Sequence, residues 1–145
     1  MNILEISHII RECYSECPRS LELYHDYAGF SLDECVDNFV DKLNEAENYD
    51  FHTFEVDGNL AGYYAITFGE LPFLYTFFIK PEYRNSNVLP KFWAEIVKTI
   101  GDTDFMSGVY ASNLPARKFL TRNGGDLHNF ENISYYIFKG EIKCH

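Results

Sequence analysis

The segment from Phe73 to Ile79 reads FLYTFFI and is almost wholly apolar, which constrains the fold more than any other part of the chain. Such a run is typical of a central strand whose two faces are both covered by other elements. Pro81 ends the run, because proline lacks the N–H that a strand ladder needs. We therefore predict a sheet in which this segment is an interior strand.

Helices are predicted on the N-terminal side of this strand. Ser31 and Glu34 form the capping-box pattern S-x-x-E, and the apolar residues that follow keep helical spacing through Ala46. Similar spacing predicts a helix from Ile3 to Cys17, and a shorter helix is expected over Arg19–Tyr27. The chain therefore begins with helices, and the strands follow them.

A β-hairpin is predicted between these helices and the apolar strand. The segments Phe51–Val56 and Leu60–Phe68 have strand character and flank Asp57-Gly58-Asn59, which is a strong hairpin signal. With Phe73–Ile79 as the next strand, three consecutive antiparallel strands would form a meander.

The elements after Pro81 predict one parallel pair of strands. A helix is expected from Pro90 to Ile100, and the strand Phe105–Tyr110 follows it. A strand, a crossover helix and a second strand of one sheet require parallel neighbours. A short helix and a strand pair complete the chain, beginning at Asn113 and covering about Leu127–Asn132 and Ser134–Phe138. The predicted fold class is α/β, a single domain over residues 1–145 with a mixed, mostly antiparallel sheet and helices on both faces.

The charge of the chain excludes some classes of function. The 22 acidic residues outnumber the 12 basic ones, and a formal net charge of -10 disfavours a nucleic-acid binder. No apolar run approaches the roughly 18 residues of a membrane span, and Met1–Arg11 lacks the basic region of a signal peptide. The four cysteines have no metal-site spacing, so we expect reduced thiols, no metal and a cytoplasmic location.

Three motifs resemble those of the GNAT superfamily, the acyl-CoA N-acyltransferases. Val56–Tyr63 (VDGNLAGY) is similar to the hairpin between the family's second and third strands. Phe78–Arg84 (FIKPEYR) is similar to the V-x-P-E-Y-R that ends its fourth strand. Asn113–Phe119 (NLPARKF) is similar to its N-x-x-A-x-x-F, with Gly124 after it. The resemblance covers about residues 51–138 and implies the GNAT fold.

The resemblance implies where acetyl-CoA, or another acyl-CoA, would bind. The family's fourth and fifth strands, here Phe73–Ile79 and Phe105–Tyr110, splay apart, and the thioester-bearing arm pairs with strand backbone in the gap. This implicates Phe78 and Ile79, with Asn113 beside the arm. The pyrophosphate would meet backbone N–H groups of the next loop, which consists of Arg84, Asn85, Ser86, Asn87, Val88 and Leu89.

This loop departs from the family pattern R/Q-x-x-G-x-G/A at two positions. Asn87 replaces the first Gly, and asparagine adopts a positive φ more readily than most residues. Leu89 replaces the second Gly or Ala, and its side chain is expected to crowd the pyrophosphate.

The catalytic positions of the family are also changed. Phe73 stands where many members carry a Glu base, and Leu120 stands where many carry a Tyr general acid. Tyr110 and Tyr75 are the candidate catalytic residues that could replace the family's acid and base, and His128 is a further candidate. Ordinary packing or a surface position is the alternative for each of them.

Two functions remain open. The first is an N-acyltransferase, most simply an acetyltransferase, whose partner is an amine-bearing small molecule or protein. Residues 1–57 carry 14 acids and 3 bases, which favours a cationic amine, whereas residues 58–145 carry 8 acids and 9 bases. The second is an inactive module of the same fold that engages a protein partner. Neither involves nucleic acid or a membrane, and a homodimer is left open. Small degenerate members of the family occur in bacteriophages, for which the location would be the host cytoplasm.

Overall fold

A six-stranded sheet lies between two groups of helices in the computed structural model, which describes residues 2–15, 31–46 and 48–140. The helices are α1 (Ile3–Ser15), α2 (Leu32–Glu45), α3 (Leu89–Ile100) and α4 (Leu114–Arg122). The strands are β1 (Tyr49–Val56), β2 (Asn59–Phe68), β3 (Pro72–Ile79), β4 (Phe105–Tyr110), β5 (Asp126–Phe130) and β6 (Ile133–Phe138). The helix expected over Arg19–Tyr27 lies outside the described residues, and so do Cys17 and Cys144.

The sheet has the predicted mixture of pairings. Its strand order is β1-β2-β3-β4-β6-β5, and β3 and β4 form its parallel pair, whereas the other neighbours are antiparallel. The α3 helix lies between β3 and β4 in the chain, as a parallel pair requires. The predicted α/β fold, with one parallel pair and helices on both faces, is confirmed.

Helices α1 and α2 cover one face of the sheet. The predicted capping box starts α2: the Glu34 N–H donates to Ser31 Oγ, and the Ser31 N–H donates to Glu34 Oε1, both at 3.2 Å. The apolar face of α2 is buried against α1, β1, β2 and β3, and consists of Cys35, Val36, Phe39, Val40 and Leu43. Leu32, which belongs to the same predicted face, is only partly buried.

Helices α3 and α4 cover the opposite face. Trp93 is core, as predicted, and its ring centroid lies 5.0 Å from that of Phe138 on β6. The Tyr64 hydroxyl of β2 lies 2.8 Å from Thr99 Oγ1 of α3, and burial raises the pKa of this phenol. Pro90 is the second residue of α3 and not the first, because Leu89 begins the helix. None of the helices in the described ranges is long and apolar enough to cross a bilayer.

The hairpin predicted at Asp57-Gly58-Asn59 forms between β1 and β2, and its turn has two residues because Asn59 already belongs to β2. Val56 and Asn59 are register partners, so Asp57 and Gly58 make the turn with φ angles of 52° and 80°. Both angles are positive, as a type I′ turn requires. Gly62 then lies against β3, where a Cβ atom would collide with the Phe78 carbonyl oxygen. This close approach fixes β2 beside the end of β3.

Truncating Val40 tests the packing of α2. Val40 is 7% exposed in the cluster between the helices and the sheet. Val40→Ala is expected to lower the free energy of unfolding by about 1–3 kcal/mol, through lost burial and a residual cavity. Urea unfolding measures it, with Asp37→Ala on the exposed side of α2 as the control, expected to change stability by less than about 0.5 kcal/mol. Equal effects of the two substitutions would contradict this packing.

Candidate functional site

Strands β3 and β4 are paired only near their first residues. Their parallel register comprises Phe73 with Met106 and Leu74 with Ser107. In contrast, β3 pairs with β2 as far as Ile79, and β4 pairs with β6 along its whole length. Each strand is therefore held on its outer side, while the two inner edges separate. The sheet opens toward the carboxyl ends of the parallel pair.

The opening starts at a defined position in the sheet. Ser107 Oγ donates a hydrogen bond of 3.0 Å to the Leu74 carbonyl oxygen, at the last paired position. The register of β3 against β2 skips the next residue, Tyr75, before it resumes at Thr76. This is the geometry of a β-bulge, which bends and twists a strand locally. The bulge and the end of the parallel pairing therefore coincide.

A cavity of about 190 Å³ lies in this opening on the side of α3 and α4. Its wall combines the end of β3, the loop after it, and the starts of α3 and α4. It is lined by Phe77, Phe78, Ile79, Arg84, Leu89, Phe92, Asn113, Pro115, Ala116 and Phe119. The wall is mostly apolar, and Arg84 is the charged residue among the described residues that line it. The structure thus brings together segments that the resemblance had assigned to the acyl-CoA site.

Arg84 is attached to the end of β3. Its Nε donates a 2.7 Å hydrogen bond to the Ile79 carbonyl oxygen, and its guanidinium carbon lies 5.2 Å from the centre of the Phe78 ring. These contacts hold one positive charge at the rim of the cavity. The Arg84 residue as a whole is exposed, so its charge is accessible to a ligand at the rim.

Asn85 organises the loop between β3 and α3. Its Oδ1 accepts hydrogen bonds from the N–H groups of Asn87 at 3.0 Å and Val88 at 3.1 Å. Its backbone carbonyl accepts the N–H of Leu89, also at 3.0 Å. Three of the N–H groups expected to face an anion are therefore already bonded to Asn85. Sequence reasoning missed this, although asparagine is known to cap turns and helix starts.

A second cavity, of about 300 Å³, lies on the other side of the opening, against α2. It is lined mostly by aromatic and small residues: Phe39, Lys42, Phe73, Tyr75, Thr76, Phe77, Gly108, Val109, Tyr110, Asn113, Ala116, Ile133 and Tyr135. Both predicted catalytic residues, Tyr75 and Tyr110, are in this wall. Strand β3 is interior and has helices over both faces, as predicted, but Phe73, Tyr75 and Phe77 are only partly buried because they lie along the cavity.

The two cavities meet at a shared wall. Phe77, Asn113 and Ala116 line both of them. Asn113 is 7% exposed, and its Oδ1 accepts the Ala116 N–H at 3.3 Å, which caps the start of α4. The two cavities therefore adjoin at the opening between β3 and β4, and together they form a groove with the start of α4 beside it.

Other residues singled out in the sequence lie away from the groove. His128 is exposed on β5, where its Nε2 lies 3.3 Å from Asp126 Oδ2, and it lines neither cavity. Leu120 is fully buried in the core. Lys42 of α2 was not predicted as a site residue, yet it lines the second cavity. A lysine on an otherwise acidic helix gives no signal of this before the packing of α2 is known.

Sequence comparison finds no match for this chain among protein-family models or curated proteins. Solved structures do match. One is the PaiA N-acetyltransferase of Thermoplasma acidophilum in complex with coenzyme A, at 18% identity and a TM-score of 0.63, covering 96% of this chain and 95% of that one. Another is the N-acetyltransferase PseH of Campylobacter jejuni in complex with acetyl coenzyme A, at 17% identity, a TM-score of 0.56, and coverage of 83% and 90%.

A third similar structure is that of a Desulfovibrio desulfuricans protein described as an acetyltransferase of the GNAT family. It is 17% identical, with a TM-score of 0.60 and coverage of 92% of each chain. At such identities the likeness concerns the fold, and it extends over nearly the whole chain.

Proposed function

We propose that this chain, which has the GNAT fold, is an N-acyltransferase that moves an acyl group, most simply acetyl, from acyl-CoA to an amine. The observation that carries the proposal is the opening between β3 and β4, which has a cavity on each face and three lining residues common to both cavities. Such an arrangement suits a two-substrate reaction, because each substrate can occupy its own cavity while the reacting atoms are held in contact between them.

The first cavity and the groove suit the acyl-CoA. Its pantetheine arm would lie along the inner edge of β3 at Phe78 and Ile79, with Asn113 beside it. There the backbone groups of the separated strands can pair with amides of the arm, as a further strand would. The pyrophosphate would lie at the loop from Arg84 to Leu89, next to the start of α3, where a helix N-terminus favours an anion.

Binding of the pyrophosphate would require a rearrangement at Asn85. The Asn85 carboxamide holds the N–H groups of Asn87 and Val88, which phosphate oxygens would take instead. A charged phosphate is the stronger acceptor, since hydrogen bonds to ionised groups are about twice as strong as neutral ones. We therefore propose that the Asn85 side chain withdraws when acyl-CoA binds.

The chemistry of transfer is a nucleophilic substitution at the thioester. The neutral amine nitrogen attacks the carbonyl carbon, a C–N bond forms, and the C–S bond breaks with the electron pair going to sulfur. The amine loses a proton, and the departing thiolate gains one. Tyr75 and Tyr110 line the second cavity, and a phenol there can supply the proton to sulfur.

Arg84 is expected to contribute more to acyl-CoA binding than Lys91. Arg84 is fixed at the rim of the first cavity, whereas Lys91 is exposed in the first turn of α3 and lines neither cavity. Arg84→Ala should weaken acetyl-CoA binding by about tenfold, as expected for loss of a charge-assisted contact, and Lys91→Ala by less than about threefold. Titration calorimetry measures both, and thermal melting separates lost binding from lost folding.

The wild-type titration also distinguishes the two functions left open by the sequence. Binding of acetyl-CoA at micromolar to millimolar concentration supports the transferase. If the folded wild type binds none at millimolar acetyl-CoA, the transferase fails, and an inactive module of the GNAT fold takes its place.

Leu89 is expected to limit acetyl-CoA affinity. Its side chain forms part of the first cavity's wall, at the position where the family has Gly or Ala. Leu89→Gly should therefore tighten acetyl-CoA binding, and Leu89→Ala should do so with less loss of helix stability. Calorimetry on both variants measures this. Weaker binding by the two variants, with unchanged melting, would show that Leu89 contacts the ligand favourably.

One of the two tyrosines is expected to protonate the leaving thiolate. Phenylalanine keeps the ring and removes the hydroxyl, so Tyr75→Phe or Tyr110→Phe should lower kcat by about 100-fold or more. The affinity for acetyl-CoA should stay within about twofold of wild type in both variants. Release of free thiol in the presence of an acceptor amine measures kcat. Wild-type rates in both variants would exclude both residues as the acid.

A further inference from the structure

The second cavity has a chemical character that the sequence did not predict. Sequence reasoning expected a cationic amine, because 14 of the first 57 residues are acidic. Among the described residues, however, no Asp or Glu lines this cavity. The acids Asp33, Asp37 and Asp41 of α2 are exposed, and Asp33 pairs with Arg11 of α1.

Lys42 is the charged residue in this wall among the described residues. It is one of three basic residues in the first 57, and it lies one helical turn after Phe39, which lines the same cavity. A lysine beside an otherwise uncharged cavity attracts anions and repels a second positive charge on the ligand. The described lining of the cavity therefore favours an anionic group on the ligand, which the charge of the N-terminal half did not suggest.

The remaining wall is aromatic. The rings of Phe39, Phe73 and Tyr135 surround the space on α2, β3 and β6, and Tyr75 and Tyr110 add two phenols. A volume of about 300 Å³ is at the lower end of the range for small-molecule sites. These features suit a compact ligand with an apolar or aromatic body better than a polyamine or an extended basic peptide.

From this placement we propose that the acceptor is a small amine that also carries an anionic group, most simply a carboxylate, on an apolar or aromatic body. The proposal rests on the transferase function proposed above. The amine nitrogen would enter the groove between β3 and β4, the body would contact the aromatic wall, and the anion would lie at Lys42. Lys42 would then determine acceptor specificity and take no part in acyl transfer itself.

Matched acceptors test this with the full chain. L-phenylalanine, L-tyrosine and L-tryptophan are compared with their carboxamides and with the amines that lack the carboxyl group, in an acetyl-transfer assay with acetyl-CoA. Binding of each compound in the presence of CoA is measured separately by calorimetry. We expect the carboxylate forms to bind and react at least about fivefold better in kcat/KM than either neutralised form.

Lys42→Gln should remove that preference. For the carboxylate acceptors, this variant is expected to raise KM by about fivefold and to leave kcat within about twofold of wild type. The size of the effect is that of a partly solvated charge pair. For the carboxamides, KM and kcat should be unchanged. Lys98→Gln on α3, which is exposed and lines neither cavity, is the control and should change nothing. Thermal melting shows that both variants fold.

Several results would overturn the proposal. The first is that the wild type prefers the carboxamides or the decarboxylated amines. The second is that no carboxylate acceptor binds or reacts. The third is that Lys42→Gln has an equal effect on charged and neutral acceptors. The proposed transferase function is tested apart from this by binding of acetyl-CoA alone. If acetyl-CoA binds and the acceptors show no dependence on the carboxylate, the acceptor proposal fails and the transferase proposal stands.

Discussion

Backbone pairing between β3 and β4 stops after two residue pairs, and the candidate site depends on this limit. Polar backbone groups inside a protein need hydrogen-bond partners, and in a continuous sheet the neighbouring strand provides them. Where two strands separate, that role passes to whatever occupies the gap. An extended ligand with amide groups is suited to it in a way that a globular or purely apolar ligand is not.

The separation is held in place by the rest of the fold. Strand β3 is fixed by β2, whose Gly62 lies directly against the Phe78 carbonyl, and β4 is fixed by its full pairing with β6. Lys80, which follows β3, is 6% exposed and lies 3.5 Å from Glu12 of α1. Because both edges of the groove are held by a neighbouring strand, substrates placed in it would be held in a defined geometry, which favours acyl transfer.

Much of the fold could be predicted from local patterns. The capping box at Ser31, the turn at Asp57-Gly58 and the order of strand, helix and strand around α3 each depend on neighbouring residues in the chain. The motif from Phe78 to Arg84 also located the loop at the first cavity. Residue type and spacing determine these features, and both can be read from a single sequence.

The features that determine the chemistry of the site were harder to predict from the sequence. The bulge at Tyr75 arises from the register between two strands, and the residue types of β3 do not predict it. The bonds from Asn85 to its own loop compete with a ligand, which a motif match does not reveal. Lys42 joins the second cavity only because α2 packs across the sheet opening, and the net charge of its surroundings suggested the opposite acceptor. Each depends on tertiary contacts between segments far apart in the chain.

Amide hydrogen exchange with and without acetyl-CoA tests the central claim, that the gap between β3 and β4 holds an extended acyl-CoA arm. At about ten times the Kd, exchange at Phe77–Ile79 and Gly108–Tyr110 should slow by up to about tenfold, because the arm supplies partners to the separated edges. Strand β1, which lines neither cavity, should exchange as before. Unchanged exchange at both edges of the gap, under conditions in which calorimetry shows acetyl-CoA to be bound, would contradict the account.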